Sequence, residues 1–146
     1  MKDLLGVVYS SRSTRPLSPD DIDRLLLAAR ANNADVGVTG VLLYGAGKFF
    51  QYFEGARSGV DDVYERIRRS DLHSDLLELE YGEIPRQLFR NWFMGFREAP
   101  ASVLQKLSQE HWKREIPWAE DHMAASAGIQ QLMEFLGPVA SQISPL

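Results

Sequence analysis

The sequence predicts an α+β fold of ferredoxin-like type. A βαββαβ unit carries one further strand, two helices lie on one sheet face, and two C-terminal helices cover the other. Three observations lead to it. The runs Val38 to Tyr44 and Phe49 to Glu54 flank Gly45-Ala46-Gly47, the pattern of two strands joined by a tight turn. Both runs are apolar at nearly every position, so both faces of these central strands need cover. Amphipathic helical stripes occur on either side of the hairpin and again after residue 100, enough for two covering layers.

The elements follow in order. Leu4 to Ser10 is apolar and β-prone, and Ser11 to Pro16 reads as a loop. Ser18-Pro19-Asp20-Asp21 supplies an N-cap serine, a proline at the first helical position and an acid three residues after the cap. Ile22, Leu25, Leu26, Ala29, Asn32 and Asn33 then share one face of that helix, so its inward stripe ends in two amides. Ser58-Gly59-Val60-Asp61 repeats the cap pattern, and Val60, Val63, Tyr64 and Ile67 form the second helical stripe. Leu77, Leu79 and Tyr81 alternate with Glu78 and Glu80, which predicts a half-exposed edge strand. Trp92 to Arg97 reads as a short last strand with Trp92, Met94 and Phe96 on one face. Val103, Leu104 and Leu107, and later Ile129, Leu132, Met133 and Leu136, mark the two C-terminal helices.

Composition excludes several functions. The chain has 146 residues, no cysteine and a formal net charge of -4. Thiol catalysis, thiolate metal sites and cysteinyl photoadducts are therefore ruled out. The acidic balance argues against nucleic acid or an anionic membrane as partner, and no apolar window is long enough to span a bilayer. A cytoplasmic location is expected. His111 and His122 lack acidic or histidine neighbours at metal-ligand spacing and are assigned to the surface, so no metal site is expected.

The chemistry concentrates on a few polar groups in apolar surroundings. Gln51 sits in Phe49-Phe50-Gln51-Tyr52-Phe53, where an amide is costly to bury without partners. Tyr9 shares a strand face with Leu5 and Val7, and Gln51 shares one with Phe49 and Phe53. If both faces meet the two helices, Asn32, Asn33, Leu25 and Ile67 converge on the same space, an apolar slot with a few polar groups. Each residue also has a plain structural reading: Tyr9 as a core tyrosine, the asparagines as a helix end, Trp92 as packing and Met94 as a gap filler.

In order along the chain, the strand ending in Tyr9, Ala29-Arg30-Ala31-Asn32-Asn33, Gly37-Val38-Thr39-Gly40-Val41-Leu42-Leu43-Tyr44, Phe50-Gln51-Tyr52-Phe53-Glu54-Gly55, Tyr64-Glu65-Arg66-Ile67 and Trp92-Phe93-Met94 resemble the successive motifs of the BLUF family, blue-light sensors that use FAD. The likeness covers residues 1–98, with 99–146 a helical extension like that of the short family members. The resemblance implies a flavin ring between Leu25 and Ile67, with Asn33 and Asn32 on its polar edge. It further implies Tyr9 as electron donor, Gln51 as the amide between donor and flavin, and Trp92 and Met94 as the signal relay. The family's Asp-x-Arg-His run reads Ser70-Asp71-Leu72-His73 here: His73 is retained, while the acid and arginine positions are Ser70 and Leu72. Arg66, Arg69 or Arg30 could replace the missing charge toward the FAD tail, and FMN or riboflavin is the alternative occupant.

The expected function is thus a non-catalytic blue-light photoreceptor. Light-driven electron and proton transfer between Tyr9 and FAD would rearrange the Gln51 hydrogen bonds and alter association with an unidentified partner protein or in a homo-oligomer. Two alternatives from other classes are a small acyl phosphate hydrolase using Arg12 or Arg66 with Asn33, and a colourless ligand-sensing module on the same fold. Phe50 and Tyr52, on the outer strand face, are expected either to pack within the monomer or to form a symmetric contact.

Overall fold

The computed structural model describes residues 3–110, 112 and 126–137. His111 and His122 lie outside these residues. The elements are β1 (Leu4–Ser13), α1 (Pro19–Val36), β2 (Thr39–Gly45), β3 (Lys48–Ala56), α2 (Arg57–Arg69), β4 (His73–Glu83), β5 (Gly95–Glu98), α3 (Ala101–Gln109) and α4 (Ala127–Leu136). The strands form one sheet in the order β4-β1-β3-β2-β5. The first four pair antiparallel, as a ferredoxin-like unit requires, and β5 adds to β2 in parallel.

Local chemistry explains the boundaries. Ser18 and Asp21 form the reciprocal capping box at the start of α1, and Gly37 ends the helix with φ 70°. Ala46 and Gly47 both have positive φ, 51° and 73°, which gives the β2–β3 turn the twist that a two-residue hairpin needs. Two expectations are corrected here. β1 continues to Ser13, because Arg12 still pairs with Lys48 and Ser74 and the Ser13 amide donates to the Gly47 carbonyl. Ser58 is not a cap: α2 begins at Arg57 after Ala56 without a side-chain cap. The Arg57 amide instead donates to the Asp3 carbonyl, so backbone just before β1 takes the role expected of a serine.

The sheet separates two cores. Leu5, Val7, Tyr9, Phe49 and Phe53 face α1 and α2, together with Ile22, Leu26, Val60 and Val63. Val8, Val41, Leu43, Phe50 and Tyr52 face the other way, under Leu104 and Leu107 of α3 and Ile129, Leu132 and Leu136 of α4. Phe50 and Tyr52 are therefore covered within the chain, and the expected second layer is in place.

β4 is an edge strand as expected, but its alternation breaks. Val8 pairs with Glu80 and Tyr9 with Glu78, so Leu79 is an extra residue opposite the junction. This bulge turns Leu79 toward the α3–α4 core and leaves Glu78 and Tyr81 both on the α2 side, where each meets a partner on that helix. Leu77 is 56% exposed.

The expected strand from Trp92 to Arg97 is also corrected, since β5 starts only at Gly95. Residues 92–94 are held individually: the Gly40 amide donates to the Trp92 carbonyl, Asn33 Nδ2 to the Phe93 carbonyl at 2.7 Å, and Arg30 Nε to the Met94 carbonyl at 2.9 Å. With the backbone fixed by these contacts and not by a ladder, the period of two fails. Trp92 packs in the α3–α4 core, stacked on Phe89 at 4.9 Å, while Met94 is buried in the α1–α2 core. The two residues expected on one face lie on opposite sides of the sheet.

Candidate functional site

Between α1, α2 and the sheet lies a slot of about 170 Å³. Its α1 wall is Leu25, Ala28, Ala29, Asn32 and Asn33, its α2 wall is Val63, Arg66, Ile67 and Ser70, and Tyr9, Leu42, Phe49 and Gln51 form the floor. His73 and Met94 complete the lining. Two small residues, Ala28 and Ala29, leave room between α1 and the floor. The approach of α1 to α2 is set by Gly59, where a Cβ would meet the Val36 side chain at 3.3 Å.

The floor is a chain of contacts. Tyr9 and Gln51 are direct partners across β1 and β3, and the Tyr9 hydroxyl donates to Gln51 Oε1. Gln51 Nε2 donates in turn to Met94 Sδ at 3.3 Å. Both ends of the buried amide are thus engaged, the oxygen by a phenol donor and the nitrogen with a thioether, which is a weak acceptor. Burial, with a smaller contribution from the neighbouring Tyr64, pushes the Tyr9 phenol well above its usual pKa, so Tyr9 is a neutral hydrogen-bond donor. Asn33 commits its Nδ2 to the Phe93 carbonyl, which leaves its Oδ1 as an acceptor. Asn32 lines the slot without a hydrogen bond among the described residues.

At the α2 end, His73 Nδ1 lies 2.8 Å from Ser11 Oγ and its ring meets Tyr9 edge-on at 5.8 Å. Burial lowers the His73 pKa to about 4, so the ring is neutral near pH 7. Arg66 lines the slot, with Nε 3.5 Å from Asp62. Arg30 does not line it; its guanidinium is spent on the Met94 carbonyl. Arg69 pairs with Glu65 at 3.1 Å, and Trp92 is on the far side of the sheet. Arg12, the other arginine of the hydrolase alternative, stands 3.8 Å from Asp75 and away from the slot.

A second polar cluster lies behind the floor. Glu54 is wholly buried on the α3–α4 face and accepts from Tyr52 Oη at 2.7 Å and from the Phe89 amide at 2.6 Å. Thr39 Oγ1 also approaches it at 3.4 Å. Burial raises its pKa to about 7 against the opposing pull of these hydrogen bonds. Sequence reasoning gave Glu54 no role, although a carboxyl in an otherwise apolar strand was the available signal. Ala28 and Ser11 were missed because small residues carry no chemical signature until a neighbour is known.

The donor set fits a flavin. Apolar side chains form both helical walls, amides stand where a ring with alternating donors and acceptors needs partners, and a neutral phenol lies behind them. The exposed Arg66 and the half-buried Ser70 are placed to meet a polar tail. Fold and slot together define a small α+β domain with a ligand-sized apolar slot between two helices and the sheet.

Residues 4–95 match the family described as BLUF, sensors of blue-light using FAD, and the chain belongs to it. It is a blue-light photoreceptor domain that uses FAD. Among curated proteins it is similar to photoactivated adenylate cyclase subunit beta of Euglena longa, 31% identical over 86 residues, which is 59% of this chain and 10% of that protein. The chain thus spans about a tenth of the curated relatives it matches. Among solved structures it resembles the dark-state structure of BlrB, a BLUF protein, at 26% identity and TM-score 0.66 over 93% of this chain and 99% of that one. It also resembles a bacterial light-regulated adenylyl cyclase, at 32% identity and TM-score 0.66 over 73% of this chain and 34% of that one. Among the described residues no helix is long and apolar enough to cross a membrane.

Proposed function

We propose that residues 1–98 form the photosensory unit and residues 99–146 its helical cover, and that light acts by rearranging the hydrogen bonds of Gln51. The observation that carries this reading is the continuous contact from Tyr9 through Gln51 to Met94 along the slot floor. Bound FAD supplies a ring that absorbs blue light and, once excited, takes one electron from a nearby donor.

Tyr9 would be that donor, because its phenolic proton has a path to Gln51 Oε1 along the existing hydrogen bond, so that loss of an electron would leave no net charge on the phenol. The amide then exchanges its donor and acceptor ends, by rotation or tautomerisation, and the weak bond to Met94 Sδ is the one given up. Leu25 and Ile67 hold the two ring faces, Asn32 and Asn33 hold its polar edge, and Arg66, with Ser70 and His73, meets the tail. Ser70 and Leu72 stand where other members carry an acid and an arginine, which leaves Arg66 as the cation nearest the tail. Displacement of Met94 moves the segment 92–94, and through Trp92 it reaches the α3–α4 core.

In this reading the chain has no turnover of its own, and its output is a light-dependent contact with a partner protein or a second copy of itself. The flavin-loaded protein should be yellow, shift its absorption to longer wavelength under blue light and revert in darkness. Absence of the shift in the intact chain would overturn the reading.

A further inference from the structure

Outside the floor contacts, three tyrosines form a column from the slot to the sheet edge. Tyr9 stacks on Tyr64 with ring centroids 6.3 Å apart and planes at 25°. Tyr64 stacks in turn on Tyr81 at 6.4 Å and 22°. Tyr9 is wholly buried, whereas Tyr81 is 36% exposed, so the column runs from interior to solvent. Each outer phenol already has a proton acceptor: Tyr64 Oη donates to Glu78 Oε1 at 2.8 Å and Tyr81 Oη to Asp61 Oδ1 at 2.7 Å. The bulge at Leu79 is what makes this possible, because regular alternation would turn Tyr81 and Glu78 to opposite faces.

A tyrosine gives up an electron readily only if its proton can leave at the same time. Arg68 strengthens that condition at Tyr64, since its guanidinium lies 3.9 Å over the ring and opposes any positive charge there. Phe53 packs edge-on against both Tyr9 and Tyr64 but has no hydroxyl proton to release, so the tyrosines alone offer a path.

We propose that Tyr9, Tyr64 and Tyr81 are an electron relay through which a soluble one-electron reductant at the exposed sheet edge reduces the illuminated flavin, one electron per bound flavin. The proposal rests on Tyr9 being the donor to the excited flavin. After that step Tyr9 lacks an electron and its proton rests on Gln51. An electron from Tyr64 restores Tyr9, to which the proton returns, while the Tyr64 proton moves to Glu78. An electron from Tyr81 then restores Tyr64, Glu78 hands back the proton, and the Tyr81 proton moves to Asp61. Finally the reductant gives one electron to Tyr81, which recovers its proton from Asp61. The net result is one electron moved from reductant to flavin, with every protein group returned to its starting state.

The test uses the full chain loaded with FAD, illuminated with blue light in the presence of ascorbate, and follows loss of oxidised-flavin absorbance. Tyr64→Phe keeps the ring stack and removes the phenol; it should slow this photoreduction roughly tenfold or more, a barrier increase above about 1.4 kcal/mol, while the red-shifted state still forms. Glu78→Gln, which keeps Tyr64 and removes its proton acceptor, should slow it likewise. Freeze-trapped illuminated samples should give a tyrosyl radical signal that narrows on ring deuteration and is lost from the edge position in Tyr81→Phe. Equal rates in wild type and Tyr64→Phe would overturn the relay, since the reductant would then reach the flavin through the slot mouth. Loss of the red-shifted state in the wild type would instead overturn the donor role of Tyr9.

Discussion

Tyr9 and Gln51 face each other as register partners on adjacent antiparallel strands, and the phenol donates directly to the amide oxygen. Neither side chain can move without the other losing a buried hydrogen bond, which couples the two groups through one contact. Tyr9→Phe should therefore retain FAD and lose the red-shifted state. The orphaned Gln51 oxygen should lower stability by about 1–3 kcal/mol, read from the urea midpoint. A normal photocycle in this variant would remove Tyr9 from the mechanism.

Gln51→Leu deletes both amide ends at similar volume. The flavin should bind and the spectral shift under blue light should vanish. An unchanged shift would mean that the reporting hydrogen bond lies elsewhere.

Arg30 separates two roles. If it holds the Met94 carbonyl, as the geometry places it, Arg30→Ala should leave FAD affinity unchanged while altering the rate of dark recovery, at a stability cost of about 1 kcal/mol. A clear fall in FAD affinity measured by equilibrium dialysis would instead assign the guanidinium to the flavin tail.

Glu54 gives a pH signature. Folded, its carboxyl keeps its proton up to about pH 7, whereas in the unfolded chain it ionises near the ordinary value of 4.5. Between these values the unfolded state binds fewer protons, so this group lowers stability as pH rises through the window and contributes no further change above it. Glu54→Gln should abolish that decline, raising its stability relative to wild type by about 3 kcal/mol from pH 4.5 to 7. His73 acts oppositely: its pKa is lowered from 6.5 to about 4, so its contribution is lost as pH falls through that range. Parallel urea midpoints for wild type and Glu54→Gln across the window would show that Glu54 is ionised in the fold.

Much of this was readable in the residues. The capping box at Ser18, the hairpin at Ala46-Gly47 and the two-sided burial of β2 and β3 are local or period-two signals, and the structure follows them. The convergence of Tyr9, Gln51 and Asn33 on one slot also follows from face alternation on strands and helix. The failures share a cause. Trp92, Leu79 and Ser58 were placed by continuing a regular pattern through segments whose backbone is fixed by long-range partners, namely Gly40, the bulge opposite Val8 and Tyr9, and Asp3. No local pattern encodes such partners. Arg30 meets the same limit, since the acceptor its Nε finds is a carbonyl 64 positions away.

The alternation along β3 has a design consequence. Gln51 and Phe53 serve the chromophore side, while Phe50 and Tyr52 serve only the covering helices. Slot floor and covered face are thus written on interleaved letters of one short segment. An engineer could refit the cover by rewriting the even-numbered letters alone, whereas inserting a single residue would swap the two scripts and erase both.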